Sequence, residues 1–222
     1  MIPKIIHYCW FGGKDKPDEF HRWFEGWKEL LPDYEFMEWN ERNFDIRFCD
    51  YSREAYLTGN YAHVSDVCRV YALHRFGGVY LDTDVEVLKS FDPYLCLGAF
   101  ASIECPLVGT AVIGSEPGAP WLTAFLDYYR HTHFINIWGH TVRTPNTKIL
   151  TLRVLPKIPL ADWPTIFPRD FFCGQPTADG TPSATVNTVA IHHFAASWRK
   201  KKTIGQKISS IAKGFKIRYF QK

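Results

Sequence analysis

A glycine pair followed by a short apolar run that ends in two carboxylates, FGGVYLDTD at residues 76–84, constrains this chain more than any other stretch. The apolar run predicts a buried strand, and the glycines predict a tight turn leading into it. Residues two apart in a strand point to the same side, so Asp82 and Asp84 can contact the same ligand. Two carboxylates this close repel each other, so we expect a positive group or a metal ion beside them.

The segment before this motif predicts a helix over residues 62–76, because its apolar residues recur at helical spacing and Gly77 is typical of a helix C terminus. Asp66 and Arg69 are three residues apart and share one face of that helix. Such an ion pair on an exposed surface contributes little to the stability of the fold. A helix that runs through two glycines into a strand forms a tight unit, however, and it can direct both side chains toward the strand end.

The order of the predicted elements indicates an α/β fold. The chain opens with a strand at 2–10, a helix at 17–31 and a strand at 34–39, which favours a parallel sheet. Further strands are predicted at 79–82, 85–88, 165–167, 171–173 and 189–194, and a further helix at 119–131. We find no repeat and no linker before the C-terminal tail, so residues 1–198 are predicted to form one domain.

Composition excludes several classes of protein. The apolar fraction of 46% is enough for a full core, yet there is no apolar stretch of about 18 residues that would predict a membrane-spanning helix. The N-terminal stretch lacks the features of a signal peptide. The six cysteines have no metal-type spacing, which predicts reduced thiols and a cytoplasmic protein.

The tail, residues 199–222, differs in charge from the rest of the chain. It contains nine basic residues and no acidic one, whereas residues 1–198 contain 17 basic and 23 acidic residues. Ile204, Ile208, Ile211 and Phe215 follow helical spacing, which predicts a basic amphipathic helix. Such a helix is typical of a peripheral membrane anchor, and it is equally typical of a helix packed on its own domain. Nucleic-acid binding is not expected, because the domain is acidic and most aromatic residues lie outside the tail.

The predicted late strand supplies two neighbouring histidines, His192 and His193. Neighbouring residues of a strand face opposite sides, so only one of them can enter a given site. The sequence leaves open which one does. A site built from carboxylates favours Mg²⁺ or Mn²⁺ over zinc.

Three stretches, IPKIIHYCWFGG, SDVCRVYALHRFGGVYLDTD and IHHFAASW, together resemble the DXD glycosyltransferases. The pattern is most similar to glycosyltransferase family 32, which includes capsular polysaccharide synthesis enzymes and yeast initiating mannosyltransferases. It is more distantly similar to the glucosyltransferase domains of clostridial toxins. The resemblance implies the GT-A fold, a Rossmann-like mixed and mostly parallel sheet flanked by helices. It also implies a UDP- or GDP-sugar donor, Mn²⁺ or Mg²⁺ as cofactor, and transfer with retention at the anomeric carbon.

The resemblance further implies roles for individual residues. Asp84 would bind the metal directly, and Asp82 would contact the donor sugar or ribose and the metal. Asp66 and Arg69 would hold the donor sugar and its phosphate side. The implied catalytic set is Asp66, Arg69, Asp82 and Asp84, the implied metal ligands are Asp82, Asp84 and His192 or His193, and the implied donor-binding set adds Trp10, Phe11, Gly12, Gly78, Tyr80, Ser197 and Trp198.

The function implied is transfer of a sugar to a glycan or lipid-linked glycan in capsule or lipopolysaccharide synthesis, at the cytoplasmic face of a membrane. Three alternatives are weighed: a non-catalytic nucleotide-sugar binder, a metal-dependent phosphohydrolase that acts on nucleotide sugars, and a toxin-like transferase that modifies protein. The phosphohydrolase would need further acids or a positioned base for water, and the sequence offers no paired motif for one. Residues 102–122, together with Asn136 and Trp138, are expected to shape the acceptor site. No candidate for a catalytic nucleophile is found.

Overall fold

The computed structural model describes residues 1–104, 106–195 and 204–221, without the side chains of residues 204–208 and 220. The strands are β1 Ile5–Cys9, β2 Glu35–Trp39, β3 Gly78–Leu81, β4 Val85–Val87, β5 Ala99–Glu104, β6 Leu107–Val108, β7 Val112–Ser115, β8 Thr165–Phe167, β9 Gln175–Pro176, β10 Pro182–Ser183 and β11 Ala190–His192. The α-helices are α1 Asp18–Leu30, α2 Asp50–Leu57, α3 Tyr61–Phe76, α4 Pro120–Arg130, α5 Asn146–Ile149, α6 Arg169–Phe172 and α7 Ile204–Phe220. Within these residues, no helix is both long and apolar enough to cross a lipid bilayer.

A mixed sheet of seven strands forms the centre of the molecule, in the order β2-β1-β3-β7-β5-β6 with β8 beside β5. Strand β1 runs parallel to both β2 and β3, as the opening strand–helix–strand pattern predicts. Strand β7 then runs antiparallel to β3 and β5. Away from this sheet, β11 pairs antiparallel with β4, directly after the two carboxylates of the DXD motif.

Helices cover both faces of the sheet because neighbouring strand residues point to opposite sides. On β3, Tyr80 belongs to the apolar cluster that includes α3 and α4, whereas Val79 and Leu81 belong to the cluster on the other face with α1. Both clusters are rich in fully buried aromatic rings, such as Trp121 in the first and Trp27 in the second. The result is a three-layer α/β/α arrangement, in which the strand ends are the places left open for ligands.

A buried histidine joins β1 and β2 to the turn before β3. His7 Nδ1 accepts a hydrogen bond from Trp39 Nε1 at 3.1 Å, so Nε2 carries the proton and donates to the Gly77 carbonyl at 2.7 Å. Burial lowers the pKa of His7 to about 4, against the opposing effect of the Gly77 contact. His7 is therefore neutral at physiological pH, and it holds the turn that leads into the DXD strand.

The glycine pair is required where α3 turns into β3. Gly77 and Gly78 have positive φ angles of 66° and 104°. A Cβ atom on Gly78 would lie 2.5 Å from the Ile5 carbonyl oxygen, so β3 could not approach β1 with any larger residue there. The glycine pair thus allows β3 to pair closely with β1, and this pairing fixes the position of Asp82 at the end of β3.

The structure corrects one predicted element and adds others. The predicted strand at 171–173 is mostly the short helix α6, which follows Pro168, a residue suited to the start of a helix. Residues 102–122, which are expected to shape the acceptor site, contain β6 and β7. Helix α2 and strands β5 and β7 were not predicted from the sequence, since each is short and carries small or polar residues among its apolar ones.

The tail forms helix α7, which packs on its own domain. Ile217 is fully buried, and the Arg218 guanidinium donates to the Ile135 carbonyl. At the helix end, Arg53 of α2 donates to the Gln221 carbonyl. Of the predicted apolar face, Phe215 is exposed, and the side chains of Ile204 and Ile208 lie outside the described residues. Ile217, which was not in that face, is the buried anchor. The predicted domain boundary at residue 199 lies outside the described residues.

We predict that Gly114→Ala destabilises the fold by about 1–3 kcal/mol, because a Cβ atom there would overlap the Phe100 ring between β7 and β5. Chemical denaturation measures this difference. The control is Gly26→Ala in α1, where the new Cβ atom meets nothing within 4 Å. That change should stabilise the protein by up to about 1 kcal/mol, because alanine favours a helix. Equal effects of the two substitutions would contradict the described packing of β7 on β5.

Candidate active site

The Arg69 guanidinium joins α3 to the end of β3. Its Nη2 atom lies 3.0 Å from Asp66 Oδ1 and 3.1 Å from Asp82 Oδ1. Its Nη1 atom donates to the Thr110 carbonyl at 2.7 Å, just before β7. The ring of Tyr80 lies 4.5 Å from the guanidinium carbon, and the Tyr80 hydroxyl donates to Asp82 at 3.0 Å. One cation thus connects a helix, the DXD strand and the neighbouring strand.

Burial and charge act in opposite directions on this cluster. Burial would lower the pKa of Arg69, but the carboxylates of Asp82 and Asp66 and the neighbouring Tyr80 raise it well above its ordinary value. The pKa of Asp82 is raised, chiefly by burial and also by the charge of Asp84, although Arg69 lowers it. The positive group expected beside the two carboxylates is therefore Arg69 on the Asp82 side.

On the other side, Asp84 contacts the late strand β11. His192 Nε2 lies 3.3 Å from Asp84 Oδ1, because β11 pairs with β4 and places His192 opposite Val85. Burial alone would raise the pKa of Asp84, but the contact with His192 and a hydrogen bond from the Ala195 amide lower it. Burial lowers the pKa of His192, yet the contacts with Asp84 and Cys173 outweigh it and raise the pKa to about 10.

The turn after β11 is strained at the point where it reaches Asp84. Phe194 has a φ angle of 52°, in the left-handed region that residues other than glycine rarely adopt. The next amide, that of Ala195, donates to Asp84 Oδ2 at 2.9 Å, and the Phe194 ring lies 4.0 Å from the His192 ring. Backbone strain of this kind is typical of functional sites, where the surrounding contacts compensate for its cost.

The structure places His192, and not His193, beside the carboxylates. His193 points to the opposite side of β11, where Nε2 lies 2.8 Å from Glu86 Oε2. Its ring stacks on Trp23 of α1 at 4.9 Å between ring centroids. These contacts hold His193 away from Asp82 and Asp84, so the arrangement favours His192 over His193 as the metal ligand.

Two groups that were not predicted from the sequence lie next to His192. Glu104, at the end of β5, has a carboxylate oxygen 3.8 Å from His192 Nδ1, and Cys173 contributes a buried thiol. Burial raises the pKa of Glu104, while the charges of His192 and Arg69 lower it. Had β5 been recognised, Glu104 would have been found as another carboxylate at a strand end. Cys173 is the last residue of the segment predicted as a strand at 171–173, and it gave no such signal because the cysteines have no metal-type spacing.

The expected donor-binding residues fall into three groups. Trp10 lies half-buried beyond the end of β1, and the Gly12 amide beside it donates to Glu41 at 2.7 Å. Three others have structural contacts that correct the prediction: Phe11 packs in the core against Phe44, Gly78 lies at the far end of β3 from Asp82, and the buried Tyr80 supports Arg69 and Asp82. Ser197 and Trp198 lie outside the described residues.

The side chains of Asp82, Asp84 and His192 form a candidate metal site. One ligand atom from each lies within 4.8 Å of the other two. His192 turns Nε2 toward Asp84, and the two carboxylates are the type of ligand that suits Mn²⁺ or Mg²⁺. The residues present therefore fit the divalent cation that the sequence pattern implies.

Comparison with known proteins supports this interpretation. Residues 17–99 match the family described as "Glycosyltransferase sugar-binding region containing DXD motif". This stretch is similar to the DXD sugar-binding region of glycosyltransferases. It contains Asp66, Arg69, Asp82 and Asp84, and the predicted resemblance is thereby confirmed. The match covers less than half of the chain.

Two curated relatives are similar to this chain over part of its length. The chain is 30% identical over 136 residues to mannosyl phosphorylinositol ceramide synthase SUR1 of Saccharomyces cerevisiae, covering 59% of this chain and 35% of that protein. It is 32% identical over 130 residues to inositol phosphoceramide mannosyltransferase 3 of Schizosaccharomyces pombe, covering 54% of this chain and 35% of that protein. The chain thus spans about a third of the length of the curated relatives it matches. These matches show that part of the chain is similar to part of two proteins named as sugar-transferring enzymes.

A solved structure shows that the fold extends over the whole domain. A glycosyltransferase involved in the glycosylation of the major capsid of PBCV-1 superposes with a TM-score of 0.53 at 13% identity, covering 96% of this chain and 99% of that chain. At this identity the similarity concerns the fold alone. The predicted GT-A fold is confirmed.

We predict that Arg69→Met destabilises the protein by about 3–5 kcal/mol at neutral pH, because it leaves the Asp66 and Asp82 carboxylates buried without a counter-charge. The loss should shrink as the pH falls, since protonated carboxyl groups need no cation. Denaturation at several pH values measures both effects. The control is Arg130→Met, which removes a surface ion pair with Asp127 and should cost at most about 1 kcal/mol. A loss no larger than that of the control would contradict the central place of Arg69.

Proposed function

We propose that this chain transfers a sugar from a nucleotide-sugar donor to a glycan acceptor, with a divalent cation held by Asp82, Asp84 and His192. The observation that carries the proposal is the convergence of these three ligand atoms at the carboxyl end of β3. Ligands of open α/β sheets bind at such strand ends, so the cluster lies where a donor would be placed.

The chemistry of sugar transfer explains why this arrangement is useful. The leaving group is a nucleoside diphosphate, and its negative charge must be stabilised as the bond to the sugar breaks. A bound Mn²⁺ or Mg²⁺ supplies that stabilisation as a Lewis acid. Asp82 and Asp84 hold the cation, and the Ala195 amide and His192 fix the orientation of the Asp84 carboxylate.

The cluster around Arg69 has a supporting role in the same proposal. Arg69 is held by four oxygen atoms from Asp66, Asp82 and the Thr110 carbonyl. Its buried charge keeps Asp82 ionised and in position, and its field favours a diphosphate nearby. Asp66 keeps a second carboxylate oxygen 3.2 Å from His63 Nδ1, and this oxygen is the one suited to a sugar hydroxyl.

The donor sugar that we propose to test first is mannose, because the two yeast relatives are named as a mannosyl-transferring synthase and a mannosyltransferase. GDP-mannose and a panel of UDP-sugars are therefore the donors to compare. Transfer with retention and a role in capsule or lipopolysaccharide synthesis belong to the same proposal and rest on the family resemblance. The anomeric configuration of the first product, read by NMR, tests retention.

We predict that the protein binds one nucleoside diphosphate in the presence of Mn²⁺ and that EDTA abolishes this binding. Asp84→Asn should weaken it at least about tenfold, since an amide oxygen lacks the charge that holds the cation. Isothermal titration measures the affinity, and Asp127→Asn, an exposed carboxylate on α4, is the matched control. Binding without turnover of any donor would favour the non-catalytic binder. The absence of nucleotide binding under all conditions would overturn the proposal.

The two histidines provide a second test. His192→Ala should weaken Mn²⁺-dependent nucleotide binding, because it removes the nitrogen ligand beside Asp84. His193→Ala should leave that binding unchanged and only reduce stability, because it removes the contacts with Glu86 and Trp23. Mn²⁺ titration followed by electron paramagnetic resonance, with thermal denaturation in parallel, separates the two effects. The reverse pattern would show that His193 is the ligand.

A further inference from the structure

An exposed apolar surface lies where the loop after α4 meets helix α7, and we refer to it as the loop–tail patch. Its side chains and their exposed fractions are Ile137 55%, Trp138 71%, Val142 40%, Phe215 46% and Tyr219 44%. Single exposed apolar residues are ordinary on protein surfaces, but a group of this size is typical of an interaction site.

Backbone contacts hold the two parts of the patch together. A Cβ atom on Gly139 would lie 2.9 Å from the Phe215 amide nitrogen, and one on Gly214 would overlap the Gly139 carbonyl. The Tyr219 hydroxyl donates to the Ile137 carbonyl at 3.4 Å, and the rings of Phe215 and Tyr219 lie 4.7 Å apart. The helix thus fits closely against the loop, and the aromatic groups of both share one surface.

The charged residues of the loop and helix that carry the patch are all basic, while Asp50 of the adjoining helix α2 is paired with Arg53. Lys213 and Lys216 are exposed on α7, and Arg143 is exposed on the loop. The sequence has no acidic residue in α7 or between residues 131 and 145. The remainder of the chain is acidic, so this surface is a local basic area on a negative domain.

We infer that the loop–tail patch binds the surface of a bilayer that contains anionic lipids. Tryptophan and tyrosine favour the region between lipid headgroups and acyl chains, where one end of the side chain is apolar and the other is hydrated. Lysine and arginine beside them are attracted to anionic headgroups. Exposed aromatic groups alone would suit a protein partner. The basic residues on the same loop and helix, with no acidic residue among them, favour an anionic bilayer instead.

A cavity of about 240 Å³ at the loop–helix junction supports this orientation. It is lined by Gly139, His140, Thr141, Ser210 and Ile211, and it is half open. None of these residues belongs to the carboxylate cluster. Because it adjoins Trp138 and Phe215, the cavity offers space for a headgroup when the aromatic rings enter the interface.

This surface differs from the anchor that the sequence alone predicts. That anchor would bind through one face of an independent helix. In the structure, Ile217 packs the helix on the domain, and Trp138 of a distant loop belongs to the exposed surface. Binding therefore depends on Trp138, which lies outside the tail altogether, and this dependence distinguishes the two arrangements.

The test is co-sedimentation of the full chain with vesicles of phosphatidylcholine, with and without phosphatidylglycerol, at low and high salt. We expect binding only to the anionic vesicles, and less of it at high salt. Trp138→Ser should lower the partition coefficient about tenfold. The double variant Lys213→Ala with Lys216→Ala should lower it roughly thirtyfold.

Matched controls are Leu160→Ser and Lys157→Ala, which change an exposed leucine and an exposed lysine on a different loop. Both should bind vesicles as the unchanged protein does. Circular dichroism confirms that Trp138→Ser remains folded. The inference is overturned if the unchanged protein does not bind anionic vesicles at low salt, or if Trp138→Ser binds as well as Leu160→Ser. Self-association that depends on Trp138, without vesicle binding, would also overturn it and assign the surface to a second copy of the chain.

Discussion

The ion pairs of Arg69 are the interaction on which the rest of the site depends. Two acidic side chains at the end of a buried strand repel each other and resist burial, and a guanidinium with several donors offsets both effects. Arg69 reaches Asp66 on its own helix, Asp82 on β3 and the Thr110 carbonyl before β7. A lysine could not make the same set of contacts, because it has one nitrogen where the guanidinium has a rigid fork.

The two carboxylates of the DXD motif are held in different ways, and this difference makes a metal site possible. Asp82 is neutralised by Arg69, whereas Asp84 faces His192 and the Ala195 amide from a segment more than a hundred residues later in the chain. The pairing of β4 with β11 brings these distant segments together. The site is therefore built from the first and last parts of the domain, and its geometry requires the complete fold.

Local patterns were sufficient to predict much of the first half of the fold. The βαβ opening, helix α3, the glycine turn and β3 all follow from apolar periodicity and from glycine positions, because they are long or sharply bounded. Strands β5 and β7 were missed, since they contain serine, alanine and glycine whose suitability for a strand depends on neighbours. Gly114 is an example, because the Phe100 ring occupies the space that a side chain at residue 114 would need.

The sequence by itself determined the chemistry of this protein: two carboxylates two residues apart, an acid and an arginine three residues apart, and a pair of histidines before the tail. The tertiary structure alone decided which of these groups meet. It selected His192 over His193, because strand pairing directs neighbouring side chains to opposite sides. It added Glu104 and Cys173, and it placed Gly139, in the loop that carries Trp138, against the tail, because contacts between residues distant in sequence depend on packing that no local pattern encodes.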